Sequence, residues 1–172
     1  MGNHDYAVLT GNVEGFSTYA ARAIMWTREH ITVEGMRFLS MLQPKARLNL
    51  DNVPVALYHG SPRDPLFEYI YPDINNEEVE SLIDESKSRV ALLGHTHMPM
   101  RFSAKGNILA NPGSVGQPRD GNRNASVGFL TLSAEKCGFE YKRVKCEVGR
   151  GPQEIRQAGL PQFLATRLYE GT

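Results

Sequence analysis

The run Val90-Ala91-Leu92-Leu93-Gly94-His95-Thr96-His97-Met98-Pro99 constrains this chain more than any other stretch. Four apolar residues in succession read as a short buried strand, Gly94 lets the backbone leave it sharply, and Pro99 forbids a helix beyond it. His95 and His97 therefore leave a strand end two residues apart, where both can point into one crevice at the edge of a sheet. Neutral imidazole is the commonest metal ligand, so the pair reads as half of a metal site. A surface loop that happens to carry two histidines is the other reading this stretch allows.

Composition narrows the class without choosing a function. The 172 residues, 41% of them hydrophobic and 22% charged, fit one domain with its own core, residues 1–172 throughout. Lys plus Arg and Asp plus Glu both number 19, so the balance carries no nucleic-acid or membrane signal, although a local cationic patch is compatible with it. No run approaches the ~18 apolar residues of a membrane span, and Met1 is followed by Gly-Asn-His-Asp in place of a basic and then apolar leader. A cytoplasmic protein is the expectation. Cys137 and Cys146 flank an expected strand, Phe139 to Lys145, and are expected as reduced thiols.

Taken in order, the chain opens on Gly2-Asn3-His4-Asp5, which suits a tight turn, a site or a solvated tail. Helices are expected over Phe16 to Ile31 and Val33 to Leu42, the second capped by Thr32 and stopped before Pro44. His30 reads as a partner of its own helix C-terminus. Strands are expected at Ala46 to Leu50 and Val53 to Leu57, the latter releasing His59-Gly60 as the later strand, Arg89 to Leu93, releases Gly94-His95. Two strand ends that each deliver a histidine are expected to converge on one edge of a sheet. Between them lie a long loop bearing Phe67, Tyr69 and Tyr71, and a helix from Glu77 to Ser86 capped by Asn75 or Asn76. A hairpin at Arg101 to Ala104 and Ile108 to Ala110 follows, then a turn-rich run from Asn111 to Asp120. Strands at Ser126 to Leu132 and Phe139 to Lys145 come next, and two terminal helices span Gly151 to Arg167, broken at Gly159-Leu160-Pro161.

Gly2-Asn3-His4-Asp5, His59-Gly60 and Gly94-His95-Thr96-His97, in that order, resemble the third, fourth and fifth motifs of the calcineurin-like metallophosphoesterases. The Ser61-Pro62-Arg63-Asp64-Pro65 loop and the run from Asn111 to Asp120 resemble the bacterial subgroup described as diadenosine-tetraphosphatase-like or phosphodiesterase-like, and the likeness spans roughly residues 2 to 132. The resemblance implies an α/β fold, a two-sheet sandwich flanked by helices. It implies a hydrolase of phosphodiesters or nucleotide phosphoanhydrides, with two divalent transition metals (Mn, Fe or Zn) that clamp the phosphoryl group and activate a bridging water. On that pattern Asn3, His59 and His95 hold one ion and His97 reaches the other. His4 contacts phosphate and protonates the leaving oxygen, with Asp5 orienting it. Arg63 and Arg119 are expected to neutralise a second phosphate, and Tyr69 to lie against a base or ring.

The family's first two motifs, Asp-x-His and the Gly-Asp that supplies a bridging aspartate, precede Gly-Asn-His-Asp, and here only Met1 does. Asp51, Asp64, Asp73, Asp84 and Asp120 sit in no such context. The expectation is an N-terminally truncated form lacking about 60 or more residues in two βα units, holding one metal and impaired in turnover. The alternative is a metallophosphoesterase-like scaffold that binds one metal or a protein partner without turnover.

Overall fold

Val53-Pro54-Val55-Ala56-Leu57-Tyr58 alternates its side chains between two faces, as any strand must, and both faces are covered. Val53 and Val55 fall in one buried cluster and Ala56 and Tyr58 in another. A computed structural model describes residues 1–133 and 136–172. The elements are α1 (Asn3–Thr10), α2 (Thr18–His30), α3 (Val33–Met41), β1 (Lys45–Leu50), β2 (Val53–Tyr58), α4 (Asn76–Ser86), β3 (Val90–Leu92), β4 (Met100–Ala104), β5 (Asn107–Asn111), β6 (Ala125–Leu132), β7 (Cys137–Val144), α5 (Arg150–Gln157) and α6 (Gln162–Glu170).

Five strands form one sheet in the order β1-β2-β3-β5-β4, and β6 and β7 form a second. Its three central strands are parallel, β2 to β3 and β3 to β5, while β1 and β4 close the edges antiparallel. Helix α4 packs Val79, Leu82 and Ile83 on one face, against Ala56, Ala91 and Leu109. Cys137 and Phe139 of β7 pack on the other, against Val55, Val90 and Ile108. A mixed α/β architecture with a central sheet flanked by a helix and a second sheet follows from this double burial, because parallel strands covered on both faces must be apolar throughout.

Local chemistry explains most boundaries. Ser17, Thr32 and Asn75 each accept a hydrogen bond from a first-turn N–H, at 3.2, 3.0 and 2.9 Å, and so start α2, α3 and α4. Asp51 with Asn52, and Lys105 with Gly106, take positive φ and make the two-residue turns of the β1-β2 and β4-β5 hairpins. His30 lies in the last turn of α2, where its ring N–H donates to the carbonyl of Trp26 at 2.7 Å. Cys137 opens β7 instead of preceding it, and both cysteines are free thiols.

The opening residues differ from the turn or tail that position alone suggests. Gly2 is the N-cap of α1, and the Asp5 carboxylate accepts the Gly2 N–H at 2.7 Å, closing the first turn. An acidic residue at that helical position satisfies an orphan donor and complements the helix dipole. Helices α1 to α3 share their own cluster around Ala7, Val8 and Ile24. Helix α3 buries no residue and leaves Val33, Phe38 and Met41 exposed, and all six residues of β1 are exposed. Among the described residues no helix is long and apolar enough to cross a membrane.

Leu82 is fully buried between α4 and the sheet. Leu82→Ala is expected to lower unfolding stability by about 2–5 kcal/mol through lost transfer energy and a residual cavity, measured by urea denaturation. A change near zero would mean that α4 does not seal this face.

Candidate metal and phosphate site

The carboxyl ends of β2 and β3 lie side by side because the strands are parallel in the register Val55↔Val90 and Leu57↔Leu92. One residue beyond β2 is His59, and the Gly94 N–H donates to its carbonyl at 2.9 Å. A Cβ added to Gly94 would come within 3.3 Å of that same oxygen, so the glycine serves close approach at this point. Gly60 is more constrained still. A Cβ there would meet the Asp64 carbonyl oxygen at 2.5 Å, and its N–H donates to Pro65 at 2.8 Å.

Past Gly94 the chain takes left-handed φ at both histidines, 64° at His95 and 60° at His97. Non-glycine residues adopt this region only when the surroundings hold them there. Asn111 at the end of β5 supplies much of that hold. Fully buried, it donates from Nδ2 to the Gly94 carbonyl at 2.6 Å and to the Thr96 hydroxyl at 3.0 Å, while its Oδ1 accepts from the Gly113 N–H at 2.9 Å. The sequence marks Asn111 only as the start of a turn-rich run; its place directly after an apolar strand was the available signal.

These constraints bring three expected ligands together. His59 Nε2 stands 2.9 Å from Asn3 Oδ1 and 3.0 Å from His95 Nδ1. Ligands bound at about 2.0–2.2 Å and subtending near-right angles would stand about 3 Å apart, so the donor set and its spacing fit a divalent transition ion. Among the described residues no group of three or more His, Cys, Asp or Glu side chains is arranged to hold a metal ion; the third donor here is an amide oxygen. His97 is oriented separately. Its Nδ1–H donates to the Gln117 carbonyl at 2.7 Å, which leaves Nε2 as the nitrogen with a free lone pair. His95 Nε2 is buried without a partner among the described residues, and the Tyr69 ring lies over His95 at a centroid distance of 3.6 Å.

The site is cationic within a chain of zero net charge. His59 is lowered to about 4, first by burial and then by the neighbouring His95, His97 and His4 and the terminal amine. His95 is also lowered to about 4 by burial, which outweighs the opposing Phe67 backbone, with Arg119, His97 and His4 adding to the fall. Burial and then Arg119 likewise lower His97 and His4. All four imidazoles are thus held toward their neutral, lone-pair-bearing form.

A cavity of about 610 Å³ opens beside the cluster, with Asn3, His4, Tyr69, His95 and Arg119 in its wall. Asp5 and Arg63 are not in it. Asp5 is engaged with the Gly2 N–H, and no hydrogen bond joins it to His4 among the described residues; His4 packs edge-on against Phe16. Arg63 is paired with Glu68 at 2.9 Å and with Glu78, and these carboxylates raise its pKa. Its fork is engaged by these two carboxylates within the 61–78 segment. Gln117 and Arg167 do line the cavity, and the sequence reading assigned a role to neither.

Residues 1–135 match the calcineurin-like phosphoesterase superfamily domain. The chain belongs to that superfamily. An uncharacterized protein of Methanocaldococcus jannaschii is 32% identical over 99% of this chain and 74% of its own length. A probable metallophosphoesterase of Methanothermobacter thermautotrophicus is 31% identical over 62% of this chain and 57% of its own. The crystal structure of a metallophosphoesterase from Sphaerobacter thermophilus superposes at a TM-score of 0.79 with 28% identity, covering 99% of this chain and 75% of that one. A hypothetical protein from Pyrococcus horikoshii shares the fold at a TM-score of 0.87 with 18% identity, covering 99% and 71%.

Because His59 and His95 titrate near 4 in the folded protein and near 6.5 when unfolded, the unfolded phosphoesterase binds more protons between those values. Stability is therefore fully present above about pH 6.5 and is lost as pH falls toward 4. The urea midpoint of metal-free protein is expected to drop across this window and to drop less in His59→Gln. A midpoint flat from pH 7 to 4.5 would contradict the buried, neutral state of these rings. Gly60→Ala is expected to destabilise by about 1–3 kcal/mol, since the contact it meets is backbone; an unchanged melt would show that the loop can yield.

Proposed function

We propose that this phosphoesterase domain hydrolyses phosphodiesters or nucleotide phosphoanhydrides, with Asn3, His59 and His95 holding a divalent Mn, Fe or Zn ion and His97 facing a second position. The observation that carries the reading is the convergence on His59 Nε2 of Asn3 Oδ1 and His95 Nδ1 at 2.9 and 3.0 Å. An ion bound there would polarise a phosphoryl oxygen and lower the pKa of water.

The chain's own residues supply the rest. Arg119 lines the cavity beside the cluster and presents a fixed positive charge to a further anionic group of the substrate. The pKa of His4 is lowered, by desolvation at the cavity wall first and then by Arg119. An anion arriving beside it favours the imidazolium, so His4 gains its proton as substrate binds and can pass it to the leaving oxygen. Asp5, which caps α1, sets the angle at which that helix presents Asn3 and His4. Tyr69, lying over His95, closes one wall and presents a ring edge to the organic part of a substrate.

A second reading, a scaffold that binds one ion or a protein partner without turnover, is favoured by one observation: among the described residues no carboxylate joins the histidine cluster. A dinuclear centre would need such a bridging donor from elsewhere.

Calorimetric titration of metal-free protein with Mn²⁺ and Zn²⁺, alongside Mn-supplemented hydrolysis of bis(p-nitrophenyl) phosphate, separates the two. The enzymatic reading expects ion binding that is lost in His59→Ala together with a fall in turnover of roughly a hundredfold or more, since even outer-shell partners of a metal are worth ten- to hundredfold. Binding without turnover supports the scaffold. Turnover indifferent to both His59→Ala and His95→Ala refutes the site.

A further inference from the structure

Part of the cavity wall lies outside the matched family domain, which ends at residue 135. Ile155 of α5, Leu160 of the connecting turn, and Leu164 and Leu168 of α6 give it an apolar surface, and Arg167 of α6 stands among them. Arg167 and Arg119 enter the same cavity from different elements, and each acts electrostatically on His97. They also act on each other: burial first and then Arg119 lower the pKa of Arg167. Two guanidinium groups lining one partly enclosed cavity repel unless an anion lies between them.

Among the described residues no aspartate or glutamate side chain does so: none is ion-paired with either arginine. Glu14, the one acidic side chain among the described lining residues, is exposed. Arg119 uses Nη2 on Gln117 Oε1 at 3.1 Å and keeps its buried Nε without a partner. Arg167 uses Nε on the Thr172 carbonyl oxygen at 2.6 Å, which leaves both terminal nitrogens available. The donors that remain are those of a forked anion site.

We propose that Arg119 and Arg167 form a recognition site for a second anionic group of the substrate, beyond the phosphoryl group at the histidines. The apolar wall of α5 and α6 takes the organic part between or beside them. The substrate class is then an organic phosphoester carrying at least two negative groups, and Arg167 is the residue that selects it. This rests on the phosphoesterase reading for which group is cleaved, but not for what binds.

Binding to metal-free protein tests it without turnover. Calorimetry would compare phenyl phosphate, which has a ring and one phosphate, with 4-carboxyphenyl phosphate and adenosine 5′-diphosphate, which add a carboxylate or a second phosphate. At least one doubly anionic probe is expected to bind roughly tenfold more tightly than phenyl phosphate, and which of them does so identifies the second group. In Arg167→Gln that ratio is expected to collapse toward one, with Arg167→Lys restoring part of it; a thermal melt shows that both variants remain folded. Equal affinity for all three probes in the unmodified protein, or a preference that survives in folded Arg167→Gln, would overturn the proposal. If bis(p-nitrophenyl) phosphate is never hydrolysed while the Arg167-dependent preference persists, the enzymatic reading fails and this one stands.

Discussion

One backbone hydrogen bond, from the Gly94 N–H to the His59 carbonyl at 2.9 Å, carries the pairing of β2 and β3 one residue past the end of β2 and two past the end of β3. Everything at the site depends on that extension. It places two histidines that lie 36 residues apart in sequence with their ring nitrogens 3.0 Å apart. It also requires that residue 94 have no side chain, since the carbonyl it approaches would sit 3.3 Å from a Cβ. Parallel strands release their loops on one edge, and here that edge is where binding groups collect.

Strain and charge have the same source. His95 and His97 hold left-handed backbone, and the fully buried Asn111 pins their loop to the end of β5 through two hydrogen bonds, to Gly94 and Thr96. A buried imidazole nitrogen, His95 Nε2, and a buried Arg119 Nε, both without a partner among the described residues, are unfavourable for folding alone. The core beneath them, sealed by α4 on one face and by β7 on the other, tolerates that arrangement. The result is a cationic pocket in a chain with equal numbers of acidic and basic residues.

The cavity is composite. His4, His95 and Arg119 of its wall come from the superfamily domain, residues 1–135, and Ile155, Leu160, Leu164, Arg167 and Leu168 from the segment after it. The groups that line one cavity thus come from two parts of the chain, brought together by folding. This is the usual division between a scaffold that fixes reacting groups and added elements that shape the pocket around them.

Much of this was legible in the sequence because it is local. Apolar runs ending in Gly-His or His-Gly marked β2 and β3, Thr32 and the Asn75-Asn76 pair marked helix starts, and the hairpin between Arg101 and Ala110 was legible from its alternation around a turn. Three strand-end and chain-start motifs named Asn3, His59, His95 and His97, which lie together or beside one another in the structure. What the sequence did not settle concerns partners far apart in the chain. Asp5 reads as the orienter of His4 in the family pattern, and the fold shows its carboxylate on the Gly2 N–H. Arg63 reads as a phosphate ligand, and the fold shows it paired with Glu68 and Glu78. Asn111, Gln117 and Arg167 carry no local pattern at all. Sequence by itself determined which residue types stand at which strand ends, because backbone sterics and hydrophobic period act over a few residues. Only the tertiary structure decided which charges meet, because that depends on the packing of β5, α5 and α6 around one cavity.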